Sequence, residues 1–143
     1  MGVRLLFGEE TYLLETKLKK IKKDFGKIIK GINFIQLDES NIQNIISDIE
    51  TPSFGYEKKM IIAKFSGLFK KEKKTAKEKK KSENSLIEKI SNYIKENIDF
   101  INDYVELIFV EQEVEKNSLY KTIEEYGEVT EFELLKLPQL ITN

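Results

Sequence analysis

Residues 3–25 read VRLLFGEETYLLETKLKKIKKDF, and the fold turns on the change of periodicity at Gly8. Val3 to Phe7 is a short apolar run interrupted only by Arg4, the pattern of a strand buried on both faces. Past Gly8 the apolar residues recur at helical spacing, as Leu14, Leu18, Ile21 and Phe25. A helix is therefore predicted over 11–25, with its lysines turned to water. Strand passes directly into helix.

The alternation continues along the chain. Ile32 to Leu37 is a second strand candidate, and Ser40 with Gln43 three residues on forms a capping-box pair that predicts a helix start. Ile42, Ile45, Ile46 and Ile49 supply the stripe of that helix, and Pro52 ends it because the residue before a proline is driven out of helical geometry. Lys59 to Phe65, centred on Met60, Ile61 and Ile62, is the third strand. Lys70 to Lys81 is almost entirely lysine and glutamate, with too little apolar content to pack. A solvated excursion is expected here, with bounds at 73–84, either a loop or a charged extension of the next helix.

Leu86, Ile90 and Tyr93, flanked by Ile87 and Ile94, mark that next helix, and Val105 to Val110 a fourth buried strand. Leu119, Tyr120, Ile123 and Tyr126 mark a further helix stopped by Gly127, and the more polar Glu128 to Glu133 suits an edge strand. Tyr93, Tyr104, Tyr120 and Tyr126 lie on or beside apolar stripes and are expected in or near the core. Strands alternating with helices require parallel pairing through right-handed crossovers. The predicted class is α/β, a three-layer fold around a parallel five-stranded sheet, in a single domain over 1–143. The tail from Leu134 to Asn143 begins another element at Leu137-Pro138, as expected of a domain cut from a longer protein.

Composition narrows the chemistry. A chain of 143 residues is long enough to bury roughly 70% of the surface of its unfolded form around one core. Its 24 basic and 25 acidic residues leave a net charge of −1, so no global field recruits a polyanion, and any such contact must be local. Cysteine is absent, which removes disulfides and thiolate chemistry and fits a cytoplasmic location. Histidine is absent too, which removes Ser-His-Asp and Cys-His triads, imidazole acid–base catalysis and the usual zinc sites. Apolar runs such as Val105 to Val110 fall far short of the roughly 18 residues of a membrane span, and no secretion signal is expected.

The turn after the first strand decides the nucleotide question. A phosphate loop reads GxxxxGK[ST], with glycines that expose backbone N–H groups and a lysine that meets the phosphate charge. Here it reads Gly8-Glu9-Glu10-Thr11-Tyr12-Leu13-Leu14, with neither second glycine nor lysine and two carboxylates where the anion would sit. Glu9 and Glu10 instead suit the positive end of the following helix, with Thr11 helping to cap it. No dinucleotide fingerprint is present either. Partners of such sheets tend to meet the carboxyl ends of the strands, here Gly8 to Thr11, Asp38 to Ser40, Phe65 to Leu68 and Glu111 to Lys116. Asp38, Glu39, Glu111, Glu113 and Glu115 show no spacing that marks an acid–base pair. The lysine-rich run has no aromatics on which bases could stack, so a solvated surface is preferred there to a nucleic-acid tether.

One connection stands apart, Thr51-Pro52-Ser53-Phe54-Gly55-Tyr56-Glu57-Lys58-Lys59. Held outward on a loop stiffened by Pro52, Phe54 would be an interface anchor. Folded inward, it would plug the end of the core, and the residues alone leave both open.

The order of these segments resembles the N-terminal domain of the delta subunit of bacterial DNA polymerase III, part of a clamp loader. The family opens on a pattern of the form LLxGEExxLxxExLxxLK, and this sequence gives Leu5-Leu6-Phe7-Gly8-Glu9-Glu10-Thr11-Tyr12-Leu13-Leu14-Glu15, continuing to Leu18, Lys19 and Lys20. Its aromatic turn before a strand, PFFGxxRLVxV, is matched by Pro52-Ser53-Phe54-Gly55-Tyr56-Glu57-Lys58-Lys59-Met60-Ile61-Ile62, with Ser53 where a large apolar residue is expected. The resemblance implies a P-loop NTPase/AAA+-like module without a functional Walker A motif, hence no cofactor, no catalysis and no metal. It further implies clamp-binding through Pro52, Ser53, Phe54, Gly55 and Tyr56, with the sliding clamp (beta subunit) as partner and its opening favoured during DNA replication. Other clamp-loader subunits would be contacted mostly through lid and collar domains beyond residue 143, DNA only indirectly, and no membrane. The alternative reading is an atypical P-loop nucleotide-binding enzyme, a nucleotidase or kinase.

Overall fold

The computed structural model describes residues 2–53, 55–70 and 77–134, of which 77–85 by backbone alone. The strands are β1 (Gly2–Phe7), β2 (Phe34–Leu37), β3 (Lys59–Lys64), β4 (Val105–Glu111) and β5 (Glu128–Glu131). The helices are α1 (Thr11–Phe25), α2 (Ile45–Glu50), α3 (Lys77–Glu96), α4 (Ile98–Tyr104) and α5 (Ser118–Tyr126). All neighbouring strands pair in parallel, in the order β2-β3-β4-β1-β5.

Sequence pattern dictates position in the sheet. β4 is buried at every residue and β1 at all but Arg4, as central strands covered on both faces must be. β5, with two carboxylates in four residues, takes an edge as expected. The three layers are unequal. On one face α1 covers the sheet, through Leu14, Leu18 and Ile21 against Leu6, Phe34, Met60, Ile62, Ile108 and Val110, with Ile28 and Phe132 packed beside it. On the other, residues of α2, α3, α4 and α5 pack on Val3, Leu5, Phe7, Ile61, Leu107 and Phe109. The asymmetry follows from the strand order: the β1 to β2 crossover runs one way along the sheet and every later crossover runs the other, so right-handedness sends their helices to opposite faces.

Several local expectations are corrected. Ser40 and Gln43 form no capping box: the Ser40 hydroxyl donates to Asp38 Oδ1, Asn41 Oδ1 accepts from Asp38 N–H, and a 3-10 turn at Ile42–Asn44 precedes α2. Glu10, not Thr11, caps α1, its carboxylate accepting from the N–H groups of Tyr12 and Leu13. Ile32 lies in a turn before β2 and is exposed. α4 was not foreseen, because Asn97 breaks the helical period after Glu96 and the seven residues of α4 leave too short a stripe. Tyr120 is buried, but Tyr104 and Tyr126 are exposed rather than in the core. The backbone is helical from Lys77; residues 71–76 and the tail 135–143 lie outside the described residues. Among the described residues no helix is long and apolar enough to cross a membrane.

Candidate functional site

The carboxyl edge of the sheet brings together the four segments expected there, and it is internally closed. Gly8 N–H donates to the Glu111 carbonyl, Glu10 N–H to that of Phe132, Thr11 N–H to that of Glu9, and Leu14 N–H to that of Glu10. Tyr12 and Leu13 N–H donate to Glu10 Oε1 at 3.1 and 3.4 Å. The N–H groups of Gly8 and of Glu10 to Leu14 are thus engaged inside the chain. Phe132 N–H also donates to the Phe7 carbonyl at 2.7 Å. This draws its backbone so close to Gly8 that a Cβ built there would lie 2.1 Å from the Phe132 carbonyl oxygen.

Beside this turn, Glu111 is buried and accepts from Ser66 N–H and Ser66 Oγ–H, both at 3.0 Å. Burial pushes its pKa up, while the Ser66 hydrogen bonds and Lys70 pull it down. Lys70 pairs with Glu39 at 2.7 Å. Glu111 therefore ties the end of β4, and Glu39 the end of β2, to the segment that follows β3, structural roles that sequence spacing did not reveal. Among the described residues no group of His, Cys, Asp and Glu could hold a metal ion.

The Pro52 to Tyr56 turn sits at the opposite edge, where α2 leads into the amino end of β3. Thr51 is already extended, with ψ 124, as the residue before a proline must be. Tyr56 N–H donates to the Ser53 carbonyl at 3.0 Å, and Gly55 adopts φ 78, a value natural to glycine in the third place of such a turn. Pro52 and Gly55 are exposed and Ser53 and Tyr56 half-buried; Phe54 lies outside the described residues. Lys59 fastens the turn to the sheet. Its side chain is buried, and its Nζ donates to the carbonyls of Asp48 and Thr51, the last turn of α2 and its cap. Burial depresses the Lys59 pKa and raises that of Asp48, and their mutual attraction opposes both shifts.

Next to the turn is a groove of ≈ 280 Å³, walled on one side by Pro52, Ser53 and Tyr56 and on the other by Phe100, Tyr104 and Val105. Lys59 and Val105 are paired residues at the starts of β3 and β4, so the groove opens on the amino edge of the sheet. The sequence reading found the turn but not this second wall, because α4 itself was missed. The signal was Phe100 and Tyr104 four residues apart.

Solved structures share this architecture. The Bacillus subtilis DNA clamp loader delta protein aligns with a TM-score of 0.71 at 20% identity, over 97% of this chain and 40% of that one. A Thermotoga maritima protein described as DNA polymerase III, gamma subunit-related aligns at 0.52 and 14% identity, over 94% of this chain and 42% of its own length. The chain thus spans about two fifths of each, and at these identities the likeness establishes the fold. No curated protein matches. The sequence model described as "DNA polymerase III, delta subunit" matches residues 5–133, nearly the whole chain, and this protein belongs to that family.

Proposed function

We propose that this domain binds the sliding clamp through the turn at Pro52, Ser53, Phe54, Gly55 and Tyr56 and helps to open it during DNA replication, without binding ATP. The family match over residues 5–133 carries the reading. Three features of the chain support it. The phosphate turn carries Glu9 and Glu10 in place of a lysine, and its N–H groups are engaged internally. The aromatic turn stands at the far edge of the sheet from that turn, on a base locked by Lys59. Its proline limits the conformations that binding must freeze out.

Mechanistically the domain acts as a ligand of the clamp. A wedge shifts a ring toward an open state only by gripping that state more tightly than the closed one. No bond is made or broken by this chain, and nucleotide acts through neighbouring subunits in the cytoplasm. Lid and collar domains, outside this chain, make the contacts to those subunits.

The test is calorimetric titration of the clamp from the same cell with wild type and Phe54→Ala. Burying a phenylalanine is worth about 1.5–3 kcal/mol, so the variant should bind roughly 10- to 150-fold more weakly. Equal affinity would remove Phe54 from the wedge. Micromolar binding of ATP–magnesium would instead favour the nucleotidase or kinase reading.

A further inference from the structure

We propose that the groove between the α2–β3 turn and α4 is the second half of the clamp contact, receiving an apolar side chain of the clamp between Tyr56 and the Phe100–Tyr104 pair. The inference rests on the clamp-binding reading above and adds a reciprocal interlock: the turn enters the clamp, and the clamp enters the groove.

Phe100 and Tyr104 are 43% and 48% exposed, although both are large aromatics. Their rings lie 5.3 Å apart between centroids and tilted by 48°, so they form one apolar surface rather than two stray side chains. That surface is held in place. Ile101, between them on α4, is fully buried in the main core, and Tyr104 runs directly into β4, whose first residue Val105 is 1% exposed. The opposite wall is held by the Lys59 hydrogen bonds to Asp48 and Thr51. A groove with two anchored walls loses little conformational entropy when filled, which is the condition for a tight contact.

Its size and chemistry define the occupant. At ≈ 280 Å³ it is somewhat under twice the roughly 150 Å³ of an apolar cavity that takes up benzene, room for a large aliphatic or aromatic side chain. Continuity with the turn fixes which molecule supplies that segment. Pro52, Ser53 and Tyr56 belong both to the turn and to the groove, so a partner seated on the turn covers the groove as well. Large apolar side chains at such a centre, sealed by a polar rim of Glu50, Thr51 and Glu57, have the anatomy of an interface hot spot.

The experiment measures clamp affinity for wild type, Phe54→Ala, Phe100→Ala, Tyr104→Ala and Tyr104→Phe, with circular dichroism confirming each fold. Phe100→Ala and Tyr104→Ala should each weaken binding by roughly tenfold. Tyr104→Phe, which keeps the ring, should bind like wild type. Hydrogen exchange on the unmodified protein gives a reading that needs no variant: clamp addition should protect the amides of 98–104 as well as those of the turn. If Phe54→Ala loses affinity while both α4 variants keep it and 98–104 stays unprotected, the groove assignment fails and the clamp reading stands. If Phe54→Ala binds like wild type, the clamp reading itself fails. A concentration-dependent dimer abolished by Phe100→Ala would assign the groove to a second copy of the chain and overturn the inference.

Discussion

Replacing Lys59 with methionine tests how the turn before β3 is held to the sheet. Methionine keeps most of the buried stem and deletes the ammonium, so the apolar packing of β3 is preserved while the Asp48 and Thr51 carbonyls lose their donor. A hydrogen bond from a charged donor contributes about 1.5–3 kcal/mol, giving a gross loss of about 3–6 kcal/mol for two. Part of this is returned, because burying the ammonium is itself unfavourable, as its depressed pKa records. The expected net cost is about 2–3 kcal/mol, with a drop in melting temperature of roughly 5–10 °C for a chain of this size. Urea denaturation of Lys59→Met against wild type measures it, and hydrogen exchange localises it to 48–58. A variant within about 0.5 kcal/mol of wild type, with unchanged exchange over the turn, would refute the idea that Lys59 fastens the turn to the sheet.

Gly8→Ala should destabilise the domain by more than about 2 kcal/mol, since the new Cβ would meet the Phe132 carbonyl oxygen at 2.1 Å and φ is 137; a thermal melt matching wild type would contradict the closed-turn geometry. Glu106 is buried with Oε1 free of hydrogen bonds among the described residues, 3.5 Å from Arg4, and burial raises its pKa against the pull of Arg4. A raised folded-state pKa means that its contribution is fully present below the ordinary value of 4.5 and is lost as pH rises through the folded value. Glu106→Gln should therefore be more stable than wild type near pH 7, with the gap closing toward pH 4.5 in denaturation profiles; a constant offset across that range would show the group titrates normally.

The fold was legible because burial on two faces leaves an unmistakable record. The runs Val3 to Phe7, Met60 to Ala63 and Val105 to Val110 are the interior strands of the sheet, and the stripe Leu14, Leu18, Ile21 marks the buried face of α1. What escaped were features that depend on competition between neighbours. Ser40 could have capped a helix, but Asp38 two residues earlier captured its hydroxyl and its N–H. Tyr104 has the composition of a core residue, yet it is the last residue of a seven-residue helix whose one fully buried residue is Ile101. The groove was half visible: its turn lies in one contiguous stretch, whereas its other wall is supplied from about 45 residues away and is brought close only by the β3–β4 pairing.

On the proposed reading, recognition of the clamp, and not of nucleotide, is carried by the turn at the amino edge of β3. Titrating the purified clamp into this chain with and without ATP–magnesium, for wild type and Phe54→Ala, measures it most directly. Wild type should bind saturably and without regard to nucleotide, and the variant roughly 10- to 150-fold more weakly. Binding that requires ATP, or that survives Phe54→Ala at full strength, would contradict that reading.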